Sequence, residues 1–235
     1  MDVRALVFDV FGTVVDWRDG VAREARRLLP GVDAEAFADA WRERYAPSME
    51  RVRRGERGWA NLDELHRESL DALLVEHAQD PDEATRAELV LAWHRLDPWP
   101  DTVNGLTRLK ERFVIAPCSN GHIAQSVNLA RYAGLPWDAI LGAEIARAYK
   151  PDPRVYEASV AALGLLPDEA IMVAAHGGDL QAAAACGLRT AFVPRPREYP
   201  GAETEAEADV SAPDFEALAE ALLGAQPGSL LPSGG

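Results

Sequence analysis

The stretch Arg4-Ala5-Leu6-Val7-Phe8-Asp9-Val10-Phe11-Gly12-Thr13 decides the fold. Its apolar, partly β-branched run predicts a strand over Arg4–Val10, followed by a turn at Gly12. Asp9 then falls at the carboxyl end of that strand, where α/β sheets place their ligands. An Asp in such a place also caps helices and forms turns, so Asp9 needs company before it counts as chemistry.

Working outward, helical spacing takes over from about Gly20 to Leu96: Val21/Ala25/Leu28/Leu29, Phe37/Trp41/Tyr45, Leu62/Leu65/Leu70/Leu73/Leu74 and Leu89/Ala92/Trp93. No strand pattern interrupts it. After Pro98-Trp99-Pro100, strands and helices alternate: strand Arg112–Cys118, helix Ile123–Tyr132, strand Ala139–Leu141, helix Arg154–Leu163, strand Ala170–Ala175, helix Leu180–Cys186 and strand Thr190–Val193. Such alternation predicts an α/β fold with a Rossmann-like parallel-sheet core. The expected division is a core of residues 1–16 and 97–225, closed by a helix over Phe215–Leu223. An all-helical cap of residues 17–96 is inserted after the first strand, and a flexible Gly/Pro/Ser-rich tail spans 226–235. The active site is expected between core and cap.

Bulk properties narrow the function classes. Hydrophobic residues make up 48% and charged residues 26% of 235, an ordinary globular balance. A net charge of −14 argues against nucleic-acid and anionic-membrane partners, which need clustered Lys and Arg. The expected partner is a small molecule, and a homodimer is left open. If the substrate is an anion, locally placed cations must draw it in. Cys118 and Cys186 lack CxxC spacing and read as reduced core residues. Met1 leads straight into the first strand with neither basic leader nor bilayer-length apolar span, which favours the cytoplasm. His66, His77, His94 and His122 show no metal-ligand spacing and are expected on the surface.

Company for Asp9 comes from four segments in order: Phe8-Asp9-Val10-Phe11-Gly12-Thr13-Val14-Val15-Asp16, Cys118-Ser119-Asn120-Gly121, Tyr149-Lys150-Pro151-Asp152 and Val173-Ala174-Ala175-His176-Gly177-Gly178-Asp179-Leu180. Together they resemble the four signatures of the haloacid dehalogenase superfamily, spread over nearly the whole chain. Within it the resemblance is to the L-2-haloacid dehalogenases. Superfamily phosphatases carry a second Asp two residues beyond the nucleophile, and here that residue is Phe11. They also hold magnesium through an acidic residue where this chain has Ala175. Mg²⁺ demands hard oxygen ligands, so neither replacement serves it. A halide leaving group needs no proton and no metal clamp, and no cofactor or metal is expected.

The resemblance implies roles for particular residues. Asp9 attacks the halogen-bearing carbon and forms an ester, and water then attacks the Asp9 acyl carbon. One displacement at the substrate carbon inverts it, turning an L-2-haloacid into a D-2-hydroxyacid. Lys150 keeps Asp9 ionised, with Thr13 and Tyr156 positioning the pair. Arg42 receives the halide with Asn120 as second donor, although a helix arginine near Arg44, Arg51 and Arg53 is ordinarily solvated. Ser119 and backbone amides near Val10 and Phe11 hold the substrate carboxylate. Phe11, Trp41 and Trp59 are candidate apolar walls.

His176 departs from the family, which carries Asn there, and Ala174 stands where some members carry Ser. A histidine at a strand end suits a general base for ester hydrolysis, with Asp179 either orienting it or pairing with Lys150. A structural histidine is the alternative. Other functions left open are a phosphatase, a hydrolase opening a strained C–N ring, and a non-catalytic binding protein on the same scaffold.

Overall fold

A computed structural model describes residues 2–224, so the tail expected over 226–235 lies outside the described residues. Strand β1 (Ala5–Phe8) is fully buried near the middle of a six-stranded sheet. Its neighbours are β4 (Val114–Ser119), flanked by β5 (Leu141–Gly142), and β6 (Ala170–Ala174), followed outward by β7 (Arg189–Phe192) and β8 (Val210–Ser211). Every adjacent pair is parallel.

Alternate residues of β1 serve different cores. Leu6 and Phe8 pack with Ile115, Ile171 and Val173, beneath α6 (Thr102–Leu109) and α11 (Phe215–Gly224). Ala5 and Val7 pack with Met172 and Ala174, against Val155 and Tyr156 of α9 (Pro153–Ala162) and Leu180 of α10 (Gly177–Ala185). Both faces of a parallel sheet must be covered, which is why this strand reads as continuously apolar. The sheet is completed by α7 (Ile123–Ala133), between β4 and β5, and by the short α8 (Ala143–Ala146).

The helical insertion consists of α1 (Trp17–Leu28), α2 (Ala34–Glu43), α3 (Tyr45–Arg53), α4 (Leu62–Glu76) and α5 (Glu83–Val90), then a 3₁₀ turn at Leu91–His94. Four of these five helices begin after an Asp or Asn whose side chain accepts an amide of the first turn: Asp16, Asp33, Asn61 and Asp82. Each such cap satisfies a donor that the helix leaves unpaired, contributing about 1 kcal/mol. The chain enters and leaves the insertion through β2 (Val15–Asp16) and β3 (Asp97–Pro98), which pair antiparallel and tie the two crossings together.

Several boundaries differ from expectation. β1 ends at Phe8 because the amides of Val14 and Val15 turn back onto the Val10 carbonyl, lifting Val10–Thr13 out of the sheet. Gly12 makes that turn at φ 89°, where a side chain is strained. Helix α10 starts at Gly177, earlier than Leu180, because the amides of Asp179 and Leu180 both bond to the His176 carbonyl. Helix α6 lies in a segment the hydropathy alternation leaves unassigned.

Candidate active site

Asp9 sits just past β1 with three donors on its carboxylate, 7% exposed. Lys150 Nζ donates to Oδ1 at 2.8 Å, Thr13 Oγ1 donates to Oδ2 at 2.7 Å, and His176 Nδ1 lies 3.1 Å from Oδ2. Burial alone raises a carboxyl pKa, but the charges and hydrogen bonds of Lys150 and His176 outweigh it and hold Asp9 well below the usual carboxylate range. Thr13 is itself fixed, its hydroxyl accepting from the Ala175 amide.

Lys150 is shared. Its Nζ also reaches Asp179 Oδ2 at 2.5 Å, and Tyr156 donates its hydroxyl to Asp179 Oδ1. Burial and the neighbouring Asp9 charge push Asp179 up, whereas Asp9 is held down. Asp179 therefore pairs with Lys150 and does not orient His176. That place belongs to Glu198, whose Oε2 lies 3.0 Å from His176 Nε2.

Neutral imidazole has one N–H, whereas His176 faces two carboxylates that can only accept. Burial disfavours the charged ring, but the hydrogen bonds and charges of Asp9 and Glu198 outweigh it and push His176 up to about 10. A raised pKa stabilises the fold below the unfolded value of 6.5, and that contribution fades as pH climbs to about 10. Urea unfolding of wild type and His176→Asn should thus show a stability gap that is full below about pH 6.5 and narrows towards pH 10. A gap that widened over that range would contradict the raised value.

A cleft of about 280 Å³ opens onto these groups, lined by Asp9, Phe11, Arg42, Tyr45, Lys150 and His176 among others. Arg42 carries its charge there without an ion-pair partner among the described residues. Its guanidinium lies 4.1 Å over the Tyr45 ring, and its buried Nη1 has no hydrogen-bond partner. By contrast Arg44 pairs with Glu76 and Arg53 with Glu50, while Arg51 is exposed. Asn120 also lines the cleft, its Oδ1 accepting from the Lys150 amide. Ser119, buried at the end of β4, accepts from the Gly121 amide behind the cleft. Val10 and Phe11 occupy the loop after Asp9, and the Phe11 ring meets Tyr45 and Trp93 edge-on.

Two expected walls lie elsewhere. Trp41 is wholly buried in the helical insertion, donating to His66 O and Ser69 Oγ, and Trp59 stacks on Tyr149 at 4.9 Å. Tyr45, Arg195 and Glu198 were not singled out from the sequence. Arg195 donates through Nε to the Thr13 carbonyl and pairs with Asp101 through both terminal nitrogens, bracing the loop beside Asp9. No spacing rule links these residues to the four motifs.

The histidines correct a second expectation. His77 is exposed, but His66, His94 and His122 are buried. Burial lowers His66 to about 3, a neutral ring stacked on Trp93. Asp63, on α4, takes His94 at 2.9 Å and His122, at the start of α7, at 3.4 Å. Their ligand atoms lie within 4.8 Å of one another, so Asp63, His94 and His122 are a cation-sized grouping, none of which lines the cleft. The cleft itself does not suit Mg²⁺: Phe11 and Ala175 offer it no side-chain oxygen, and Asp179 is committed to Lys150 and Tyr156.

A family model described as haloacid dehalogenase-like hydrolase matches residues 3–187. The chain belongs to that family. This hydrolase is 32% identical over 204 residues to (S)-2-haloacid dehalogenase 4A of Burkholderia cepacia, covering 84% of this chain and 87% of the relative. A crystal structure of a defluorinating L-2-haloacid dehalogenase superposes with a TM-score of 0.90 at 48% identity, covering 94% of the hydrolase and 95% of that chain. The Xanthobacter autotrophicus L-2-haloacid dehalogenase with chloropropionic acid covalently bound is 28% identical, with a TM-score of 0.83 and coverage of 95% and 100%. No helix among the described residues is long and apolar enough to cross a membrane.

Proposed function

We propose that the protein hydrolyses carbon–halogen bonds of short L-2-haloacids through an ester on Asp9, without a metal, yielding D-2-hydroxyacids. The observation that carries this reading is the pairing, across one cleft, of a carboxylate held ionised by three donors with an arginine that has no carboxylate of its own among the described residues. A phosphate substrate would leave an alkoxide in need of a proton, and Phe11 cannot supply one.

In the first step an Asp9 oxygen bonds to the substrate carbon as the carbon–halogen bond breaks. The electron pair leaves with the halide, which Arg42 and Asn120 receive. Ser119 and the backbone amides of Val10 and Phe11 hold the substrate carboxylate. In the second step water attacks the Asp9 acyl carbon with His176 as base. Lys150, braced by Asp179 and Tyr156, stabilises the carboxylate before attack. Helices of residues 17–96 act as the cap, bringing Arg42 over a core that carries the nucleophile, and Phe11 with Tyr45 keeps the halogen side apolar.

Halide release from 2-chloro-, 2-bromo- and 2-fluoroacids, measured with and without a chelator, tests the reading. Fluoroacids belong in the panel because the relative at 48% identity is a defluorinating enzyme. Expected is release from the L substrates, unchanged after exhaustive removal of divalent ions, with a D product. A Mg²⁺ requirement restored on addition, with phosphate ester turnover, would put the phosphatase reading first.

A further inference from the structure

Glu198 lies far in sequence from the four motifs, yet it is one of the most enclosed charged residues of the protein, 2% exposed. Its carboxylate is clamped on three sides. Trp17 Nε1 donates to Oε1 at 2.7 Å, and His176 Nε2 lies 3.0 Å from Oε2. The third side is the Gly12 backbone, so close that a β-carbon at residue 12 would stand 2.0 Å from Oε1. Among the described residues its ion-pair partner is His176 alone. A buried carboxylate needs compensation, and among the described residues no Arg or Lys pairs with it.

We propose that Glu198 is the positioning residue for His176: once Asp9 is esterified, Glu198 holds the ring as the Nε2–H tautomer, leaving Nδ1 to accept a proton from the hydrolytic water. This rests on the reading of Asp9 as nucleophile and His176 as base.

The need for such a residue follows from the state of the ring. In the resting enzyme both nitrogens face carboxylates, so both carry hydrogen, and an imidazolium cannot act as a base. Esterification removes the Asp9 charge. The Nδ1 proton then passes to solvent by way of the cleft that holds Asp9 and His176, while a second cleft of about 530 Å³, lined by Trp17, Arg42, His176, Glu198 and Tyr199, opens on the Glu198 side of the ring. Without Glu198 the remaining proton is free to sit on either nitrogen, and an Nδ1–H aimed at the ester donates where acceptance is required. A carboxylate behind the ring decides the tautomer.

The step balances. Water oxygen bonds to the Asp9 acyl carbon, and the bond from that carbon to the substrate-bearing oxygen breaks. One water proton goes to His176 Nδ1 and the other to the departing alkoxide oxygen. Asp9 carboxylate and His176 imidazolium are regenerated, and each turnover sends one proton to solvent and one halide out. Asp9, Glu198, Lys150, Asp179, Arg42, Asp39 and Glu43 are the charged groups around the ring or its clefts, with Glu203 accepting from the Gly177 amide beside it.

Rapid-quench kinetics on Glu198→Gln with (S)-2-chloropropionate tests this. Expected is a stoichiometric chloride burst at the wild-type rate, steady-state turnover lower by roughly 10²-fold, and mass-detected ester persisting on Asp9. Glu198→Asp should recover part of the turnover, because a carboxylate still accepts from Nε2 whereas a Gln amide can donate to it. Trapping of ester by His176→Ala but not by Glu198→Gln would overturn the role of Glu198 and leave the base intact. No trapping by either, with the burst slowed equally, would overturn the base reading itself.

A measurement independent of Glu198 variants uses Asp9→Asn, whose neutral amide mimics the ester. Long-range nitrogen–proton NMR should find His176 doubly protonated in the resting wild type and protonated only at Nε2 in Asp9→Asn. A neutral Nδ1–H ring in Asp9→Asn would overturn the proposal.

Discussion

Halide release falls by roughly four orders of magnitude or more in Asp9→Asn, while the unfolding transition stays close to that of wild type. The amide is nearly the same size and keeps an oxygen for Thr13, so packing around a residue 7% exposed is little disturbed. What it loses is the anion. Lys150 and His176 exist in this arrangement to make that anion the stable form, and both face a neutral group after the change. The loss of nucleophilicity therefore acts on the first turnover, and no burst is expected in a single-turnover halide assay. Stability should fall only modestly, because removal of one charge from a cluster that also holds Asp179 and Glu198 leaves Lys150 and His176 each with a carboxylate. Halide release at the wild-type rate from a folded Asp9→Asn protein would remove the covalent mechanism.

The second large effect is confined to one step. His176→Ala is expected to release halide in a stoichiometric burst and then slow by about 10²- to 10⁴-fold, the usual weight of a positioned base. Ester formation needs only an ionised Asp9, and Lys150 and Thr13 still supply its donors. Quenched enzyme should then carry the substrate's carboxyalkyl group as an ester on Asp9, visible by mass spectrometry. The resting ring, bridging two carboxylates, is an imidazolium, so its work as a base begins only after the ester has formed. An equally slowed burst with no trapped ester would assign His176 to substrate binding or to the fold, and would pass the positioning of water to Lys150 and Asp179.

Much of this was legible in local pattern. The apolar run before Asp9, the alternation after Pro100 and the capping residues Asp16, Asp33, Asn61 and Asp82 are written in periods of two to four residues, the range over which a chain reports on its own conformation. Because Asp9, Ser119 and His176 sit at the ends of central strands or just beyond them, the fold class carried them to one edge of the sheet, and Lys150 joins them from the segment after α8. Within that edge Asp9 and Lys150 meet directly, as their chemistry requires.

Partnership at about 3 Å is another matter, since it depends on how separate elements pack. Asp179 had two open partners in the sequence, and only the approach of Tyr156 on α9 and Lys150 committed it. Arg42 is one of four nearby arginines: acidic neighbours reach Arg44 and Arg53, Arg51 is exposed, and Arg42 lines the cleft with no ion-pair partner among the described residues. Glu198 follows His176 by 22 residues in an irregular loop, with no period to mark it. The buried Asp63, His94 and His122 come from α4, the 3₁₀ turn and the start of α7, and they looked like surface residues because each is polar and isolated in sequence. The sequence by itself determined the sheet, the helical insertion and the nucleophile's place, because periodicity and capping are local. Only tertiary packing decided which charges pair, because a hydrogen bond is set by distance through space and not along the chain.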